Sequence, residues 1–234
     1  MSTRLQSIRK TALLSIACSM LLCSAVRANS DAIPPFPRPP KSSAALEKSL
    51  QRWDAAQLAH ARECADSFQQ SRNSPDDGLF DLRYAVTLDT PSLYSVEVNL
   101  EDFCGGAYPS RETTAVVFDK RTGKEYSPLA LYGIAQPSRF GLELKAEIKS
   151  MLRRRLLAAR AGLDDQECRK TLEEDPLSSF EPDMSGFGKD GLRIYYSGPH
   201  VVQACYETVV LPYSGIANYL NRKEALRVKW PKPD

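Results

Sequence analysis

From Ser43 to Ser71 the apolar residues recur every three or four positions. Leu46, Leu50, Trp53, Ala61, Cys64 and Phe68 fall on one face, so the spacing predicts one long helix over 43–71. Gln57 interrupts that stripe at its middle. The helix is therefore expected to lie across a sheet, with Ala56 and Ala61 allowing close packing, rather than to form a coiled-coil seam. A turn cluster, Asn73-Ser74-Pro75-Asp76-Asp77-Gly78, follows, and the period changes to two. Leu82, Tyr84, Val86 and Leu88 share one strand face; past Asp89-Thr90-Pro91-Ser92, Tyr94, Val96, Val98 and Leu100 share the next. Thr113–Asp119 reads as a third strand, reached through the glycine pair Gly105-Gly106. These three strands predict a sequential antiparallel meander.

Leu129–Tyr132 reads as a short strand or a helical turn. The helical period returns over 139–161, where Leu144, Ile148, Leu152 and Leu156 align and Gly162 supplies a stop. Residues 163–191 are acidic and loop-like, with Phe180, Met184 and Phe187 as anchors. Leu192–Tyr196 and Cys205–Leu211 read as strands, and a short helix runs from Pro212 to Leu220. The expected class is α+β: an antiparallel meander packed by a long N-terminal helix and a second helix, with two disulfides.

The ends set the compartment. Arg4, Arg9 and Lys10 precede the apolar stretch Thr11–Val26, and Val26-Arg27-Ala28 offers a small-residue cleavage site, so 1–28 reads as a secretory signal peptide. The stretch falls short of the roughly 20 apolar residues of a membrane span, and no retained transmembrane helix is expected. Residues 29–42 are proline-rich and read as an extended linker. Residues 43–221 are expected to form the domain, and 222–234 a C-terminal tail. The protein is expected to be periplasmic or secreted.

Export decides how the cysteines read. Cys18 and Cys23 leave with the signal segment, while Cys64, Cys104, Cys168 and Cys205 remain. An even number in an oxidising compartment predicts two disulfides. Their long spacings exclude a CxxC redox pair and a compact zinc knuckle. Four cysteines allow three pairings; the favoured one joins Cys64 with Cys168 and Cys104 with Cys205.

Charge is nearly balanced, with 31 basic against 29 acidic residues and no dense basic patch with interleaved aromatics, so no nucleic-acid partner is expected. Arg153-Arg154-Arg155 fans around a helix and reads as a solvated face. Two histidines, His60 and His200, stand far apart in no zinc-hydrolase spacing. His60, Glu63 and Cys64 have helical ligand spacing, but an oxidised Cys64 removes the site. There is no Gly-x-Ser-x-Gly elbow, and Thr122-Gly123-Lys124 lacks the upstream glycine and the following hydroxyl of a P-loop. The carboxylate pairs sit beside turn formers, where solvation explains them. No catalytic residue, cofactor or metal site is expected.

What remains is geometric. Gly105-Gly106 permits positive φ or the close approach of a partner, and would present Tyr108 and Pro109 at a loop tip. Tyr195, Pro199 and His200 place aromatic and rigid groups in a second segment. Gly105, Gly106, Ala107, Tyr108, Pro109, Ser110, Tyr195, Pro199 and His200 are the candidate contact residues. A hydrolase or deacetylase built around His200, Asp119 and nearby tyrosines is the alternative; a structural envelope protein assembling through the long helix is another.

One resemblance bears on this choice. Cys104-Gly105-Gly106-Ala107-Tyr108-Pro109, the turn Asp119-Lys120-Arg121-Thr122-Gly123-Lys124, then Gly191-Leu192-Arg193-Ile194-Tyr195-Tyr196-Ser197 and Val209-Val210-Leu211-Pro212-Tyr213-Ser214 resemble the C-terminal domain of RsiV-type anti-sigma factors. The same domain of unknown function occurs in PdaC-type peptidoglycan deacetylases. The likeness covers roughly 80–221. It implies a non-catalytic binding domain of the cell envelope, with a lysozyme-like protein or peptidoglycan as partner. The family usually has histidine at the position of Tyr108. The chain has neither a sigma-binding segment nor a deacetylase domain, so neither activity is implied.

Overall fold

The computed structural model describes residues 33–71, 80–105, 109–139, 141–159, 166–174, 184–196 and 205–230. The expected signal segment, the Asn73–Gly78 turn, Gly106, Ala107, Tyr108, Pro199 and His200 lie outside them.

Ser43 starts the long helix α1 (Ala44–Ser71). Its hydroxyl accepts from the amide of Leu46 at 3.1 Å and its carbonyl from the amide of Glu47 at 3.0 Å, satisfying two of the orphan donors at a helix start. Leu46, Leu50, Ala61 and Cys64 are buried. Between them Gln57 is half-buried and Ala56 is exposed, so the close packing expected at Ala56 is not made, while Ala61 does pack.

Beneath α1 lies the meander, β1 (Phe80–Asp89), β2 (Leu93–Asp102) and β3 (Ser110–Asp119), antiparallel in the order β1-β2-β3. Leu82, Tyr94, Val96, Val98, Val116 and Phe118 face α1 and form one core. Leu93 and Val117 face the other way, into a second and larger core. The sheet is covered on both faces, which is why the first half of β2 is buried without alternation. The expected face of β1 needs one correction. A bulge between Val86 and Leu88 leaves Thr87 extra, so Leu88 pairs with Ser95 and turns into the second core instead of following Val86.

The second core is closed by the C-terminal half. Pro128–Leu131 is a single helical turn, α2, capped by the Ser127 hydroxyl. The helix expected over 139–161 starts later: β4 (Ala135–Ser138) and β5 (Gly141–Leu144) form a hairpin, and α3 spans Ala146–Ala159. Leu144 is buried as a strand residue, while Ile148, Leu152 and Leu156 form the buried helix face. The acidic stretch expected as loop contains α4 (Gln166–Glu174), which buries Cys168 and Leu172. A second antiparallel sheet, β6 (Ser185–Phe187), β7 (Gly191–Ile194) and β8 (Val209–Pro212), packs on the inner face of the meander. The strand expected from Cys205 begins only at Val209. A Cβ on Gly186 would meet the Ala115 Cβ at 2.5 Å, so glycine is what lets β6 lie against β3. The Ser95 hydroxyl, which accepts from the Phe187 amide at 3.1 Å, ties the two sheets together. A 3₁₀ helix (Tyr213–Tyr219) and α5 (Arg222–Arg227) follow, and Val228 is buried. Residues 222–230 thus pack on the larger core.

The proline-rich segment is a strap. Phe36 is buried within an aromatic cage, its ring 5.5 Å from Trp53, 5.0 Å from Tyr84 and 6.0 Å from Phe118 between centroids. The Phe36 amide donates to Asp54 at 2.7 Å, Arg38 pairs with Asp54 and Glu47, and the Tyr94 hydroxyl donates to the Pro37 carbonyl at 3.1 Å. Residues 33–40 are therefore part of the folded unit rather than a free linker.

Both expected disulfides form, but with the other pairing. Cys64 bonds Cys104, and Cys168 bonds Cys205. The reason is the layering. Cys64 lies on α1, on the outer side of the meander, whereas Cys168 lies on α4 in the inner core. Joining Cys64 to Cys168 would require a bond across the sheet.

Candidate functional site

The Cys104 end of the meander gathers several groups from the start of the sequence. Cys64 on α1 is bonded to Cys104 just beyond β2, and one helical turn to either side His60 and Phe68 flank it. The Phe68 and Phe103 rings meet edge-on at 5.7 Å. His60 Nε2 lies 3.7 Å from the Asp102 carboxylate and its ring packs on Phe80 at 5.4 Å. The helix end and the strand end are thereby held together on both sides of the bridge. Gly105 leaves this anchor at φ 94°, a left-handed conformation that disfavours side chains. Pro109 and Ser110 return the chain, both exposed, with Ser110 opposite Asp102. Glu101 and Arg111 pair across the strands at 2.8 Å.

Tyr195 is placed elsewhere. It is fully buried, and its hydroxyl donates to Glu97 at 3.1 Å, beside Arg193, whose guanidinium contacts the same carboxylate at 3.1 Å. Burial, then the neighbouring Glu97 charge, pushes its phenol well above the usual range. Glu97 pairs with Ala115, five residues along β3 from Ser110, which is about 17 Å of strand. Gly105, Pro109 and Ser110 therefore share one end of the sheet, and Tyr195 is a core side chain away from it.

The turn closing β3 has a structural role. One Asp119 carboxylate oxygen accepts from the amides of Arg121 at 3.0 Å and Thr122 at 3.1 Å; the other accepts from Arg227 at 2.9 Å. Gly123, at φ 67°, lies so close to the Ala45 carbonyl that a Cβ there would overlap it. The Ser43 hydroxyl donates to the Lys120 carbonyl at 2.6 Å. The Asp…Thr-Gly-Lys motif is thus the seat on which the start of α1 rests. Arg227, its partner from α5, itself held by Glu224, was not identifiable as such in the sequence, because nothing local to residues 222–227 marks a contact so distant in the chain.

A groove of about 190 Å³ opens between the strap, the middle of α1 and β1, lined by Ile33, Pro34, Pro35, Asp54, Gln57, Leu58 and Tyr84. Among the described residues no group of three His, Cys, Asp or Glu side chains is arranged to hold a metal ion. None of the described helices is long and apolar enough to cross a membrane.

No protein-family model matches the chain, and no curated protein does. Among solved structures it is similar to a member of the DUF3298 family from Bacteroides fragilis, at 14% identity and TM-score 0.45, covering 82% of this chain and 74% of that one. It is also similar to a DUF3298 family protein from Pseudomonas aeruginosa, at 16% identity and TM-score 0.42, covering 72% of this chain and 80% of that one.

Proposed function

We propose that this is an exported, non-catalytic binding domain of the cell envelope that recognises a lysozyme-like enzyme or peptidoglycan through the loop leaving Cys104. The observation that carries the reading is the Cys64–Cys104 bridge. It fixes the root of a short loop to a long helix and a ten-residue strand, so a partner meeting Gly105, Pro109 and Ser110 meets a preorganised edge. The resemblance to RsiV-type domains supports the partner class, and Tyr108, where that family usually has histidine, is the position at which the partner would change. Two disulfides accord with a periplasmic or secreted protein.

The competing readings are less well supported. Asp119, the carboxylate of the hydrolase alternative, already accepts three hydrogen bonds within its turn and from Arg227. The helix stripe needed for assembly is spent on the protein's own sheet, with Leu46 and Leu50 fully buried.

Calorimetry with c-type lysozyme and with soluble peptidoglycan fragments tests the proposal. Binding to one of them, weakened by Pro109→Ala and by Tyr108→Ala, is expected. Silence against both ligands ends it.

A further inference from the structure

The outward side of α5 carries Arg222, Lys223 and Leu226, with Lys229 just beyond its end, all exposed, and Leu226 is 82% accessible. Spacings of three and four residues put Arg222 and Lys223 beside Leu226 on one helical face. The Arg227–Asp119 contact seats this face next to the β3 turn, whose Arg121 and Lys124 are also exposed. Lys41 stands two residues before Ser43, which is bonded to the same turn. Among the described residues, none of these six cations has an ion-pair partner. The acids of the corner are mostly engaged: Asp119 and Glu224 hold Arg227, and Asp89 holds Lys120. Glu125 is the exposed acid left beside the cations. In a chain whose overall charge nearly cancels, this is a strongly one-sided corner.

Leu226 separates two kinds of anionic partner. A soluble polyanion needs the cations alone. A leucine standing in solvent among cations suits a lipid headgroup layer, where the charges meet phosphates and the apolar side chain enters the acyl boundary. We propose that the α5 corner docks the protein on an anionic phospholipid bilayer. Asp119 and Ser110 terminate β3 at opposite ends, about 30 Å apart, so docking through α5 leaves the Cys104 loop facing away from the lipid. The inference does not depend on the identity of the loop's partner.

Sedimentation of the exported protein, as recovered after secretion, with vesicles tests it. Binding is expected to phosphatidylcholine vesicles containing about 30 mol% phosphatidylglycerol, and to be lost when salt screens the charges. Each cation near such a surface contributes roughly fivefold, so R222Q/K223Q/K229Q together should weaken partitioning about a hundredfold. Leu226→Ser, which leaves the charge unchanged, should weaken it several-fold. Equal partitioning onto pure phosphatidylcholine, or no effect of the triple variant, overturns the proposal. Binding to soluble heparin with full vesicle binding by Leu226→Ser overturns it in favour of a soluble polyanion. Unchanged thermal melting of the variants confirms that the fold is not what was lost.

Discussion

The guanidinium of Arg227 reaches the carboxylate of Asp119 at 2.9 Å, bridging 108 residues of sequence. It joins the last helix to the turn that seats the first. Burial alone would raise the Asp119 pKa, but hydrogen bonds from Arg227 and from the Thr122 and Arg121 amides outweigh it and hold the carboxyl below its usual range. A carboxyl with a lowered folded pKa stabilises the fold fully above its unfolded value, near about 3.9, and loses that stabilisation as pH falls through the folded value. Asp119→Asn should therefore cost about 1–2 kcal/mol near neutrality, discounted for the half-exposed guanidinium. Urea unfolding of the two proteins should show a constant gap in the neutral range that narrows only in acid. A gap independent of pH down to strong acid would refute this.

Phe36 anchors the strap. Phe36→Ala removes a fully buried ring from a cage of four aromatic side chains and should cost about 3–4 kcal/mol. Limited proteolysis should then cut within 33–40 while the rest resists. A variant with unchanged stability would mean that the strap is not seated in solution.

Peptide mapping without reduction should recover Cys64 linked to Cys104 and Cys168 linked to Cys205. With partners 40 and 37 positions apart in sequence, the chain-entropy model gives each bond about 4 kcal/mol. Replacing either pair by serine should lower the unfolding free energy by a comparable amount, and crossed peptides would disprove the layered arrangement.

Gly123→Ala combines a left-handed φ with a clash against the Ala45 carbonyl, which is backbone and cannot swing aside. The expected loss exceeds about 1 kcal/mol. Gly141 is the internal control: it also has positive φ but open space around its Cβ position. Thermal melting of both variants should rank Gly123→Ala as the more damaging.

Among the described residues, six tyrosines resist ionisation. Burial is the main cause at Tyr84, Tyr94, Tyr126, Tyr132, Tyr195 and Tyr213, and Tyr94 is pushed up to about 12. Their raised pKa values stabilise the fold below the unfolded value of about 10, and that contribution is lost as pH rises toward the folded values. Ultraviolet titration should show these phenols ionising together with alkaline unfolding. Smooth ionisation near pH 10 in a still-folded protein would contradict it.

The meander was legible because Tyr94, Val96, Val98 and Leu100 alternate cleanly. The bulge was not, since nothing in Val86-Thr87-Leu88 marks an extra residue; it shows only in pairing with β2. Leu144 misled the helix boundary because it stands four residues before Ile148, the spacing of a helical face, while packing as the end of a hairpin. Phe36 stands alone among prolines, so its burial depends on partners 17 to 82 residues away in the chain. The disulfide partners needed the same missing information, namely which side of the sheet each helix occupies. At the candidate loop, the positive φ of Gly105 was readable from the glycine pair. Tyr195 looked alike in sequence and differs only by the carboxylate, on another strand, that satisfies its hydroxyl.

The neighbouring order of the disulfides bears on how the chain matures. Of the four cysteines after residue 28, the first bonds the second and the third bonds the fourth, so neither closed loop encloses the other's partner. In a chain exported as proposed and freed of residues 1–28, Cys64 and Cys104 would emerge before Cys168 arrives, and the remaining two would have only each other. Oxidation by order of arrival would then yield this connectivity without reshuffling, with α1 fastened to its strand before the second layer is delivered.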